Sequence, residues 1–147
     1  MKNQNLIYSL GLAGLIPFFG AAAAEYAGWT IVGINPQTVF LSYSAIILSF
    51  MGGTLWGKSR ELPNSKLSAA LLIFSNALAL LAWLMLLMGT HYYATGLSIA
   101  ILAFTALYIV EWTNAKHLFE AEANAYLKLR LFLSTTVCLC HVVMLLM

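Results

Sequence analysis

Charge is what this chain has least of. Asp, Glu, Lys and Arg make up 8% of its residues, against roughly 25% in a soluble domain. Asp is missing altogether. Chemistry-bearing patterns are scarce as well. The seven Lys and Arg residues form no run, so nothing makes the basic stripe that a nucleic-acid surface requires. H-E-x-x-H zinc spacing is missing, and the chain is read as having neither a catalytic carboxylate dyad nor a phosphate-cradling loop. The two cysteines, Cys138 and Cys140, lie two apart inside an apolar stretch. On a helix of 3.6 residues per turn they point about 200° apart, so they neither pair nor share a metal. No catalytic residue, metal site, cofactor or nucleic-acid partner is expected.

What the chain has instead is apolar surface. Hydrophobic residues are 62% of its 147 positions, more than a soluble fold can cover, so lipid is the expected solvent. Cut at its polar breaks, the sequence yields five stretches, at about 6–27, 37–57, 66–89, 94–112 and 125–147. Each is near the roughly 20 residues that cross a bilayer. The expected fold is all-α: one transmembrane domain, a polytopic bundle of five helices. Lys2 and the alanines Ala21 to Ala24 also resemble parts of a secretory leader, but the five-span reading keeps that segment as the first span.

The few charges are placed asymmetrically. Lys2 precedes the first stretch. Lys58, Arg60 and Lys66 separate the second from the third, and Lys116, Lys128 and Arg130 cluster around the connection from the fourth to the fifth. The other two connections hold no Lys or Arg. Basic residues gather in cytoplasmic loops, and random placement would give this split about one time in 64. The expectation is therefore a multi-pass bacterial inner-membrane protein with its N-terminus inside and its C-terminus outside.

Local patterns refine the bundle. Pro17 lacks the N–H that the Ala13 carbonyl would accept, which predicts a kink in the first span. Ala45, Ser49, Gly53 and Gly57 recur every fourth residue, a small-residue stripe for close helix packing. Ser65 is the expected N-cap of the third span. Asn114 to Asn124 reads as a short amphipathic helix on the inner surface.

Ionisable groups inside lipid are costly and are candidate functional residues by default. Three qualify: Glu25, Glu111 and His141. Glu25 fits the outer headgroup level. Glu111, beside Trp112, fits an interfacial carboxylate paired with a nearby Lys or Arg. Arg130, Ser134, Cys138 and His141 fall within about 80° of one another on a helix, a polar stripe along the last span. Asn76 and Trp83 share a face of the third span. Candidate ligand-binding residues are therefore His141, Cys138, Ser134, Asn76, Trp83 and Glu25. The outer half, with Glu25, His91 and His141 and no Lys or Arg nearby, is the expected place for a ligand or proton site.

Three segments carry a resemblance: LGLAGLIPF at Leu10 to Phe18, YSAIILSFMGGTLWG at Tyr43 to Gly57, and AYLKLRLFLSTTV at Ala125 to Val137. Together they resemble an uncharacterised bacterial family of domain-of-unknown-function membrane proteins, one that includes relatives of the mitochondrial transmembrane protein 69. The resemblance implies five spans and carries no activity, cofactor or site residues with it. The functional expectation is non-catalytic binding of a hydrophobic small molecule or a membrane partner within the lipid bilayer. A small oligomeric transporter or channel is one alternative. A membrane redox or lipid-modifying enzyme using His141 is the other.

Overall fold

The computed structural model describes residues 4–119 and 123–147. Lys2 and both acidic residues of the expected surface helix, Glu120 and Glu122, lie outside these residues. Everything described is helix or connection: α1 (Gln4–Ala13), α2 (Ile16–Ala27), α3 (Pro36–Ser59), α4 (Ser65–Met88), α5 (Tyr93–Thr113), α6 (Ala115–Leu118) and α7 (Ala123–Leu146). α1 and α2 together form the first span. The five spans alternate in direction. Ser68 on α4 bonds back to Ser59 on α3, Gly96 on α5 meets Leu41 near the start of α3, and Glu111 at the end of α5 meets Arg130 early in α7.

Each break has a local cause. α1 ends one turn before Pro17, which occupies the first turn of α2, where its missing N–H breaks no helical bond. Tight bonds from Gly14 N–H to the Leu10 carbonyl and from Leu15 N–H to the Leu12 carbonyl bridge the break. The Gly14 carbonyl accepts from the Tyr43 hydroxyl at 2.9 Å, so a neighbouring helix satisfies backbone at the break, as a bilayer requires. α2 stops at Gly28, whose left-handed φ of 68° closes the helix end. Pro36 opens α3 beneath an Asn35 cap that accepts from Gln37 N–H at 2.8 Å.

The cap of α4 is Asn64 rather than Ser65. Asn64 holds extended backbone, and its side-chain oxygen accepts from both Lys66 and Leu67 N–H, whereas Ser65 is already helical. A 3₁₀ turn at Gly89–Tyr92 reverses the chain between α4 and α5.

α3 is the axis of the bundle, with α2, α4 and α5 packed around it, while α7 lies against α5, α1 and α2. Phe18, Phe40, Leu48, Leu78, Met85, Leu97 and Leu107 fill the core. The outward faces are apolar too: Ile46, Phe50, Ile73, Leu80, Leu102, Phe132 and Leu139 are all exposed. A surface of that kind is stable against lipid chains and not against water. All described Lys and Arg residues lie toward one end of the bundle, here called the basic end.

Candidate functional site

His141 sits at the centre of the protein with no exposed surface. Its Nδ1 lies 2.7 Å from the Val137 carbonyl, which can only accept, so Nδ1 carries the proton. Nε2 is then the acceptor for the Ser44 hydroxyl, 2.7 Å away on α3. The rings of Phe18, Phe40 and Phe104 surround the imidazole at centroid distances of 4.8 to 5.8 Å. Both ring nitrogens are occupied, and no face is open to a ligand. His141 therefore acts as a polar pin joining α3 to α7 inside an aromatic box. That arrangement gives no support to a redox or lipid-modifying role for it.

The other candidate residues are dispersed. Cys138 faces α5, its sulfur 3.8 Å from the Thr105 hydroxyl and 3.9 Å from the Ile101 carbonyl. Glu25, half-buried at the end opposite the basic one, accepts from Gln37 Nε2 at 2.8 Å. Asn76 and Trp83 are exposed on the lipid side of α4, contrary to an inward-facing pair. The inward face of α4 is set by Leu71, Ser75, Leu78, Ala82 and Met85. Asn76 and Trp83 each follow one of these by one residue, a turn of about 100° away from the core. Asn76 tolerates that position because its amide donates to the Leu72 carbonyl of its own helix.

The small-residue stripe also divides. Ala45 is buried in the core and Ser49 is half-buried, but Gly53 and Gly57 are exposed, with open space where a Cβ would stand. The close helix approach falls one residue earlier. A Cβ on Gly52 would stand 3.1 Å from the Ser75 carbonyl oxygen, so α3 and α4 meet there backbone to backbone. The letters from Gly52 to Ser59 do satisfy the G-x-x-x-x-G-K-S phosphate-loop spacing. All eight residues lie inside α3. Their amides are committed to the helix and cannot cradle phosphate.

Where the bundle does open is toward the basic end. The break before Pro17 lets α1 lean on α7 while α2 packs on α3. Gly11 makes that lean possible, since a Cβ there would stand 3.0 Å from Leu133. Between α1, α3 and α7 remains a cleft of about 470 Å³, lined by Leu10, Gly14, Phe18, Ile47, Phe50, Thr54, Leu133 and Val137 among others. Leu10 and Phe50 at its edge are exposed to lipid. Four side chains on its wall carry polar atoms: Thr54, Tyr126, Arg130 and Ser134. This cleft lies toward the basic end, whereas a site is expected in the outer half.

Among the described residues, Arg130 carries the only charge on that wall. It is 6% exposed, and its Nε donates to Glu111 Oε2 at 2.7 Å. Glu111 is itself buried, at 2% exposure. The interfacial carboxylate therefore has its basic partner, one helix away. Nη2 of Arg130 is buried and has no hydrogen-bond partner among the described residues.

Fold and surface together define a polytopic α-helical membrane protein. Among known sequences, the family described as "Protein of unknown function (DUF3429)" matches residues 3–146, and the chain belongs to it. It is similar to Transmembrane protein 69 of Xenopus tropicalis, with 43% identity over 82 residues. That match covers 53% of this chain and 31% of the relative, so the chain spans about a third of that protein's length. No solved structure matches it.

Proposed function

We propose that this protein is a non-catalytic binder of a hydrophobic small molecule, held in the lipid-facing cleft between α1, α3 and α7. The observation that carries the reading is the cleft itself. At about 470 Å³ it falls within the range of roughly 300–1,000 Å³ in which ligand sites lie. Its walls are almost wholly apolar, and its edge opens to the bilayer, so a ligand dissolved in lipid enters without crossing water. The one-sided basic residues support a setting in the bacterial inner membrane with the basic end inside.

Native mass spectrometry of protein released from its own membrane tests the reading. Wild-type protein is expected to carry a bound hydrophobic molecule that survives detergent exchange. A Thr54→Trp variant, which fills the cleft from an exposed wall position, is expected to lose it. Wild-type protein released without any such molecule, or a molecule retained equally by both proteins, would sink the reading.

A further inference from the structure

Among the described residues, the cleft is apolar along its length and charged at one place. That place is the guanidinium of Arg130, a buried side chain on the cleft wall. One arm of its fork, Nε, is held by Glu111 at 2.7 Å. Another, Nη2, is buried without a partner among the described residues. A guanidinium N–H in a low-dielectric site is expensive to leave unmade, and a planar fork with one arm fixed presents the next arm in a set direction. The missing group is an acceptor, and an oxyanion is the acceptor that a guanidinium binds best.

Position and volume narrow the ligand. Glu111 lies two residues before the end of α5 at Thr113, so Arg130 stands within a turn of the basic end of the bundle. The cleft runs from there to Phe18 and Val137, beside His141 at mid-bundle. A ligand with its head on Arg130 therefore puts its head near the interface and its tail toward the bilayer centre, as a lipid does. The cleft volume of about 470 Å³ lies in the lower half of the roughly 300–1,000 Å³ range of small-molecule sites, which suits a slim, single-chain ligand better than a bulky one.

The geometry points to a single-chain amphiphile with an oxyanion head, carboxylate or phosphate, whose head accepts from the guanidinium of Arg130 on the cleft wall while its chain fills the cleft. This rests on the cleft as a binding site and goes beyond it in naming the ligand's class and its anchoring residue. Glu111 is then a positioning residue that holds the guanidinium in place and moderates its charge.

The test uses the full chain in nanodiscs of phosphatidylcholine, titrated with three probes of matched chain length: hexadecanoate, hexadecyl phosphate and hexadecanol. At least one anionic probe is expected to bind wild-type protein tenfold or more tighter than the alcohol, about the effect of one hydrogen bond to a charged group. The tighter of the two identifies the head as carboxylate or phosphate. The double variant Arg130→Met/Glu111→Gln leaves no buried unpaired charge. It is expected to lose the anion preference and keep its affinity for hexadecanol, which also reports that it is folded. Glu111→Gln alone releases the guanidinium from its counter-charge and is expected to tighten anion binding, an effect that a purely structural ion pair does not predict. Equal binding of all three probes by wild-type protein overturns the proposal and leaves the cleft reading standing. So does an anion preference that survives in the double variant. If none of the three probes binds wild-type protein, or if binding is unaffected by Thr54→Trp, both readings are overturned.

Discussion

At the scale of single residues, the buried polar groups divide by whether their hydrogen bonds close. His141 is closed: one ring nitrogen donates to Val137, the other accepts from Ser44, and three phenylalanines pack its faces. In lipid, where helix association depends on packing and hydrogen bonds, such a pin is worth more to the fold than to chemistry. His141→Ala leaves a cavity in the aromatic box and strips Ser44 of its partner. It is expected to cost about 2–4 kcal/mol, read as a lowered unfolding temperature in detergent. A shift no larger than that of a lipid-facing change such as Leu139→Ala would contradict the pin. Arg130 is the opposite case, closed on Glu111 and open at Nη2. Its membership of a polar stripe was legible in the spacing of Arg130, Ser134, Cys138 and His141. That the stripe parts company, with Arg130 and Ser134 on the cleft and His141 in the core, was not, because about 80° of helix arc spans two different neighbours.

At the scale of elements, one residue of register decides which face of a helix is used. Gly52 and Gly53 are adjacent, yet a Cβ on the first meets the Ser75 carbonyl oxygen at 3.1 Å while a Cβ on the second meets nothing within 4 Å. Gly52→Leu is expected to push α3 from α4 and destabilise the protein by about 1–3 kcal/mol, the usual cost of overpacking. Gly53→Leu is expected to leave the unfolding temperature of the monomer unchanged. Thermal unfolding of the two variants side by side checks this, and equal losses would show the register to be wrong. The four-residue repeat of Ala45, Ser49, Gly53 and Gly57 pointed to α3 as a packing helix but not to the angle at which α4 meets it. The repeat drifts around a helix of 3.6 residues per turn, so its two ends face different surroundings. The Pro17 break shows the same division. Its existence follows from a missing N–H; its consequence, a cleft rather than a simple bend, follows from α1 leaning on α7 through Gly11.

At the scale of the whole molecule, the alternating spans bring the described Lys and Arg residues to one end, next to the cleft's charged group. In the proposed orientation that end is cytoplasmic. Single cysteines introduced by Asn64→Cys and Thr30→Cys, in a background without Cys138 and Cys140, test it, since both positions are exposed on connections at opposite ends. In intact bacterial cells a membrane-impermeant maleimide is expected to label the Thr30 position and spare the Asn64 position. The reverse pattern would invert the orientation and place the cleft's open end toward the outer leaflet.

The amino-acid sequence alone determined that this is an all-α bundle in lipid, because apolar length and scarce charge are properties of each segment taken by itself. It also determined where the first span breaks and which residues bear charge or hydrogen-bonding groups within the membrane. Only the tertiary structure decided which of those groups meet. Asn76 and Trp83 turned to lipid, His141 was sealed by Ser44 and Val137, and Glu111 was joined to an arginine 19 positions away. The reason is physical. In a bilayer both the inner and outer faces of a helix are apolar, so hydrophobic pattern no longer says which face is inside, and packing between backbones settles it.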